Sequence, residues 1–471
     1  MSAANPELRA FIARLHFLIG LFVGPFLLVA AFTGTLYVLT PQIENALYRD
    51  VLRTDTTGPA HSLEAQAEAA RALVGPAPRL SAVRPAIAPG HTTRVLFAQP
   101  GLGDSESRAV FVDPVTLAIR GDLTVYGTTG VLPFRTALDY LHSNLMLGAY
   151  GRAYSELAAS WLWIMALGGV LLWLWRRTGR LSRQNPANRR LRTRRLHGLI
   201  GVTVSLGLLF LSASGLTWSQ WAGGRIGVLR AEIGWVTPSV SLALPADATD
   251  AARGSAGAPG AQHAEEHAGH HASGAAMPAT AASPALSAPV PQLDAVLAVA
   301  RAAGINSPLV ELRLPRSGQA WVVREFDRNW PTQADTVAID PRTLAVTDRA
   351  DFADFPLVAK LIRWGIDLHM GLLFGLASQV LMAATGVGLI AATLYGYRIW
   401  WQNRPAPGAP PRTLLHAFLR LSLLQRGSAV AVALALGWAL PVAGVSLIGF
   451  LAVDVLRWRL SRPDPRALPA E

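Results

Sequence analysis

RRTGRLSRQNPANRRLRTRR, residues 176–195, carries nine arginines and no acidic residue. It joins two stretches without a charge, positions 157–175 and 198–222. About 20 apolar residues cross a bilayer, so both stretches read as membrane spans. The positive-inside bias then puts the arginine loop in the cytoplasm. Working outward, positions 17–39 and 371–397 are further charge-free runs of sufficient length. The N-terminus therefore lies inside, and residues 40–156 and 223–370 lie largely outside. The chain re-enters the cytoplasm near Arg398 and Arg404. The first run is longer than a signal-peptide core and no small-x-small cleavage site follows it, so it reads as a retained helix. The last run, positions 427–453, contains Pro441. At about 40 Å it is short for two spans and long for one. A single tilted or proline-kinked helix is the first reading. It leaves Arg457, Arg459 and Arg462 outside, against the charge bias, and a hairpin is the alternative.

Only 15% of residues are charged and 51% are hydrophobic. Soluble domains carry about 25% charge, which excludes a purely soluble protein. A net charge of +12 raises the question of nucleic acid. Lys360 is the sole lysine, however, and the arginines flank apolar runs, which is a membrane pattern, so no nucleic-acid partner is expected. The chain has no cysteine. This excludes disulfides, thiolate metal sites, Fe–S clusters and thioether-linked haem. Any redox centre must use His, carboxylate or Met ligands, or a cofactor held non-covalently.

The resulting plan is a helical membrane bundle of five spans, six if the last run is a hairpin. The segments are 1–39, a first outer module 40–138, 139–176, the cytoplasmic loop 177–196, and 197–222. A second outer module, 223–362, is followed by 363–398, a cytoplasmic linker 399–426, and a C-terminal segment 427–471. In the first module, 62–74 reads as a helix and 93–98 and 109–112 as strands. In the second, 293–303 reads as a helix and 309–314, 320–325 and 336–339 as strands. Residues 243–291, rich in Ala, Gly, Ser and Pro, read as a disordered insert.

The chain is internally repeated. RLHFLIG at Arg14 returns as RLHGLIG at Arg195. His16 and His197 thus share one numbering offset, 181, with Gly34 and Gly215. VFVDPVTLAIRGD from Val110 returns as VAIDPRTLAVTDR from Val337, and LHSNLMLG from Leu141 as LHMGLLFG from Leu368. Pro114 and Pro341 share a second offset, 227, with His142 and His369. The offset grows by 46, close to the length of the insert. Two copies of one unit, both starting inside, are parallel repeats related by an axis along the membrane normal.

Such an axis puts His16 and His197 at one depth on the cytoplasmic side and His142 and His369 at another on the outer side. Paired neutral imidazoles can hold a haem iron from both axial sides. Gly20, Gly148, Gly198, Gly201 and Gly371 leave room for a flat macrocycle. Arg14 and Arg195 inside, and Arg152 and Arg363 outside, are candidate partners for its propionates. Each feature has a plainer reading: interfacial histidines, close-packed glycines, arginines as orientation signals. Ionisable residues in spans are costly and usually functional, and two pairs that each recur within their own motif favour ligation. His263, His267, His270 and His271, in HAEEHAGHH, form a weak peripheral candidate for Zn, Cu or Ni, set against a solvated tail.

The RLHxLIG, VDPxTL and LHxxLxxG motifs, with their repeats, resemble the PepSY-associated transmembrane helix family over about residues 10–400. The resemblance implies two α+β PepSY-like periplasmic modules on a bundle in the bacterial inner (cytoplasmic) membrane. It implies two b-type haems, with His16 and His197 on the inner one and His142 and His369 on the outer one. Since the family includes haem proteins similar to ferrioxamine-type siderophore-iron reductases, the resemblance implies a chain that reduces ferric siderophore iron outside and releases Fe(II). The electron donor expected is a quinol or a cytoplasmic reductase, since no NAD or FAD fingerprint is present. The rival expectation is a non-enzymatic PepSY membrane protein that binds a periplasmic partner or handles copper.

Overall fold

The computed structural model describes residues 6–103, 105–177, 189–244, 292–404 and 413–460. The insert expected over 243–291, apart from Ala243 and Leu244, and loop residues 178–188 lie outside the described residues. In chain order, α1 (Pro6–Phe22) and α2 (Gly24–Val38) are followed by the short α3 (Thr40–Leu47) and α4 (Arg49–Leu52). Then come α5 (Leu63–Val74) and strands β1 (Arg79–Arg84), β2 (Thr93–Ala98), β3 (Glu106–Val112) and β4 (Ile119–Tyr126). Next are α6 (Pro133–Asn144), α7 (Gly148–Arg177), α8 (Arg189–Thr217) and α9 (Trp221–Ile233). The second half begins with α10 (Leu293–Ala302), β5 (Val310–Arg313), β6 (Trp321–Glu325), β7 (Thr336–Ile339) and β8 (Val346–Ala350). It continues through α11 (Leu357–His369), α12 (Leu376–Gln402), α13 (Leu414–Leu419), α14 (Leu423–Ala439) and α15 (Pro441–Leu460). Two compact units result. One is Met1–Leu36, Tyr140–Glu232 and Val380–Glu471, the other Tyr37–Asp139 and Ile233–Gln379.

The first unit is helical. Among the described residues α7, α8, α12 and α15 are long and apolar enough to cross a membrane, and α1 with α2 makes a fifth candidate bent by 60°. The bend has a chemical cause. Pro25 has no N–H to give the Leu21 carbonyl one turn back. In lipid that carbonyl needs another donor, and the Tyr397 hydroxyl of α12 supplies it at 3.2 Å. Gly24 makes room, since a Cβ there would lie 2.6 Å from the same hydroxyl. Small residues also bring α8 and α12 together: a Cβ on Gly207 would meet Thr385 at 2.7 Å, and one on Gly388 would meet Val204. Ile19, Val23, Leu27, Trp161, Leu162, Leu208 and Leu389 form the buried centre.

A buried acid in this unit has a structural task. Glu156 of α7 accepts the N–H groups of Trp221 and Ala222 at 2.9 and 3.0 Å, which caps the start of α9.

The single C-terminal helix expected first is replaced by two. α14 and α15 break at Leu440–Pro441 and pack on each other. The buried Asp454 carboxylate, near the end of α15, accepts the Leu415 N–H of α13 at 2.9 Å. Because α13 immediately precedes α14, the chain has doubled back into a hairpin. Arg457 and Arg459 thus return to the end of the hairpin where α13 lies.

The second unit is built on one eight-stranded antiparallel sheet in the order β4-β3-β2-β1-β5-β6-β7-β8. Two four-stranded meanders join at the centre, where β1 and β5 pair through Ala82↔Arg313 and Val83↔Leu312. The two modules expected separately therefore share a sheet. Alternation puts Val83, Val95, Phe97, Val110, Leu312 and Val323 on a face covered by α5 and α10. The N-termini of those helices meet: Leu63 N–H donates to Asp294 at 3.1 Å and Asp294 N–H to Glu64 at 3.0 Å. On the opposite face, Ala82, Leu96, Ala109 and Phe111 pack under Tyr48, Val51 and Leu52. Ala320 and Ala338 pack under Val240, Leu242 and Leu244. Ala243 bridges Gln319, so the start of the expected insert belongs to the sheet.

Positions matched by the second repeat offset behave alike. Leu117 and Leu344, each closing a VDPxTL-type turn, have φ of 61° and 57°. The bulges fall at Phe111/Val112 and Ala338/Ile339.

The centre of the sheet carries a buried ionic group. Glu311 on β5 pairs with Arg84 at 2.5 Å, Arg324 at 2.7 Å and Arg313 at 2.8 Å. Burial opposes ionisation of Glu311, but Arg324, Arg84 and Arg313 outweigh it and hold the carboxyl well below its ordinary range.

Candidate functional site

The helical unit brings His16 and His197 together. His16 lies on α1 and His197 on α8, with ring centroids 6.2 Å apart and planes at 71°. Each Nδ1 meets a backbone carbonyl: His16 with Met165 of α7 at 3.0 Å, His197 with Ala392 of α12 at 2.8 Å. A carbonyl only accepts, so both Nδ1 atoms carry a proton, and in the neutral rings the Nε2 atoms hold the lone pair. That tautomer, fixed by a hydrogen bond from the far nitrogen, is the one a metal-bound imidazole needs. Glycines clear the rings. A Cβ on Gly169 would sit 3.1 Å from His16 Cε1, and one on Gly396 would sit 3.5 Å from His197 Cε1. Met165 and Ala392, like Gly169 and Gly396, are mates at the second repeat offset.

These dimensions can be set against haem. An iron held between two imidazoles at about 2 Å from each nitrogen puts the ring centroids roughly 6–6.5 Å apart, and 6.2 Å fits. Among the described residues no group of three or more His, Cys, Asp or Glu side chains is placed to hold a metal ion. Two imidazoles alone suit an iron whose remaining ligands come from a macrocycle.

The second pair is divided between the units. His142 lies in the last turn of α6, in the helical unit. Its Nδ1 is 2.9 Å from Thr33 Oγ1, whose own proton goes to the Val29 carbonyl at 2.7 Å. With the Thr33 proton on the Val29 carbonyl, His142 Nδ1–H is the donor of this contact. A Cβ on Gly34 would lie 3.1 Å from His142 Cε1. His369 is the last residue of α11, in the sheet unit. Both histidines close a short helix that precedes the span. The chain then turns through positive-φ residues, Leu145, Met146 and Gly148 after the first and Gly371 and Gly375 after the second.

The expected arginines are placed unevenly. Arg14 stacks on Phe17 at 4.7 Å. Arg195 is exposed and Arg152 is half-buried near the start of α7. Arg363 gives its Nε to Asp367 at 3.1 Å. His263, His267, His270 and His271 lie outside the described residues. The carbonyls of Met165 and Ala392 and the glycines at 169 and 396 were missed from sequence, although the second repeat offset was the signal that could have found them.

A set of membrane-crossing helices with an opposed histidine pair, joined in one chain to an antiparallel sheet backed by helices, defines an integral membrane protein with a separate α+β unit. The chain belongs to the PepSY-associated TM region family, whose model matches residues 13–403. No curated protein matches it.

Proposed function

We propose that this chain is a haem-b electron-transfer protein of the bacterial inner membrane that reduces ferric siderophore iron on the periplasmic side and releases Fe(II). The observation that carries the reading is the His16–His197 pair, with its 6.2 Å spacing and both Nδ1 atoms committed to carbonyls. When bound, haem would supply a one-electron iron couple. The chain's own residues do the rest. His16 and His197 would ligate, Met165 and Ala392 set the ring tautomer, and Gly169 and Gly396 keep space beside the rings. Ile19, Leu162, Leu208 and Leu389 keep the surrounding core apolar.

A second haem on His142 and His369 is proposed from the sequence repeat. The offsets of 181 and 227, and the turns and bulges matched at the latter, support descent of the two halves from one unit. The donor proposed is a quinol or a cytoplasmic reductase, and the N-terminus is proposed to be cytoplasmic. The non-enzymatic alternative, a PepSY protein that binds a periplasmic partner or handles copper, predicts a colourless protein.

The test is purification from haem-replete cells. A Soret band that shifts on dithionite addition, and a pyridine haemochrome approaching two haems per chain, are expected. Proteoliposomes given an inner reductant should then produce Fe(II) from an outer ferric hydroxamate. A colourless preparation defeats the haem reading. A coloured preparation without Fe(II) production leaves a haem protein with another acceptor.

A further inference from the structure

Arg135 on α6 lies in the sheet unit and is only 8% exposed. Its guanidinium carbon lies over the Tyr37 ring, 4.7 Å from the centroid. The Nε–H and Nη2–H bonds of an arginine run parallel along one edge, and that edge grips both oxygens of a carboxylate. On Arg135 these two nitrogens are buried and make no hydrogen bond. Arg328, within electrostatic reach, gives Nη1 to Asp367 Oδ1 and to Met370 Sδ, each at 3.0 Å, and its buried Nε also has no acceptor. Arg363 takes the other Asp367 oxygen at 3.1 Å. Both Asp367 oxygens are therefore engaged elsewhere. Asp139 and Glu44 are the acidic neighbours, and neither meets the Arg135 edge. Buried donors almost always have acceptors, so two unmet N–H groups on one buried edge are costly.

We propose that the Nε–Nη2 edge of Arg135, with Arg328 near it, is a binding site for a carboxylate. Two sources share that chemistry: a propionate of a haem ligated by His369, close in sequence to Asp367, or a soluble carboxylate such as one on a chelator. The propionate assignment rests on the haem reading above, but the carboxylate site does not. Arg135 thus replaces Arg363 as the first candidate for this contact, since Arg363 is committed to Asp367.

The full-length protein is stripped of haem and reloaded with haem b or with haem bearing methyl-esterified propionates. Release to excess apomyoglobin is then followed in the Soret region. One wild-type site should release the ester roughly tenfold or more faster than haem b. Arg135→Gln should release haem b at that faster rate and be indifferent to esterification. Arg135→Lys, which keeps the charge but not the edge, should show most of the same effect. The release rate of the other haem should not change, which reports an intact fold. In a second arm citrate is titrated against tryptophan fluorescence. Unchanged haem release, with a citrate response that Arg135→Gln abolishes, assigns the site to a soluble carboxylate. A citrate response in a wild-type protein with fewer than two haems defeats the second-haem reading and leaves the site standing. If neither arm responds to Arg135, the proposal is overturned.

Discussion

At His16 and His197 the two ring nitrogens have different jobs, and this makes single substitutions informative. His16→Ala and His197→Ala should each remove the same b-type haem, read as half of the haemochrome signal. Gly169→Val tests the same site without touching a ligand. Its side chain would begin 3.1 Å from His16 Cε1, so it should deplete the haem that His16→Ala depletes. If Gly169→Val keeps full haem content with an unchanged spectrum, the ring does not occupy this position when loaded. The histidines were legible because they recur within a motif. Their partners were not, because the carbonyls belong to helices far along the chain and a backbone oxygen has no letter of its own. Arg135 escaped notice for a related reason: it has no repeat mate, and its meaning lies in which of its nitrogens are unmet.

Among the elements, the bend between α1 and α2 makes a two-part prediction. Tyr397→Phe leaves the Leu21 carbonyl without its outside donor and should lower bundle stability by about 1–2 kcal/mol. Pro25→Ala in the same background restores an N–H and should recover much of that loss. Denaturation in detergent, read by helical signal, measures both; equal losses with and without Pro25 would refute the compensation. The cap on α9 is a stronger case. Glu156→Ala removes acceptors for two N–H groups and should cost about 2–4 kcal/mol. Most helices and several strands were legible from apolar runs and alternation. β1 was not, because RLSAVR is framed by Arg79 and Arg84, and the ion pair that makes Arg84 an interior residue lies on β5. The C-terminal hairpin was clipped by the rule that spans lack charge. α14 begins before Arg426 and α15 runs past Asp454, whose charge serves the Leu415 amide.

For the whole molecule, the hairpin changes an expected location. Reporters fused after Arg404 and after Glu471 should report the same side, and one fused after Gly90 the opposite side. A C-terminal signal that matches Gly90 would restore the single span. Acid sensitivity should belong to the sheet unit. Burial opposes ionisation of Asp113, but hydrogen bonds from Thr54, Val115 N–H and Thr56 bring it to about 2, and Glu311 is likewise depressed. Groups depressed in the folded state stabilise it above their unfolded values and lose that effect as pH falls through the folded value. The contribution of Asp113 and Glu311 to the stability of the sheet unit should therefore be full above about pH 4 and decline towards pH 2, with the decline reduced in Asp113→Asn.

The central β1–β5 seam also sets a timetable for biosynthesis. Val83 and its partner Leu312 belong to opposite halves of the chain. At roughly 5–20 residues per second, β1 waits about ten seconds to most of a minute for its neighbour. Through that interval the newborn half-sheet presents a bare strand edge, a template for wrong partners. Expression yield should accordingly depend on chaperones that shield such edges, and ribosome stalling between the two halves should be more toxic than stalling after β5.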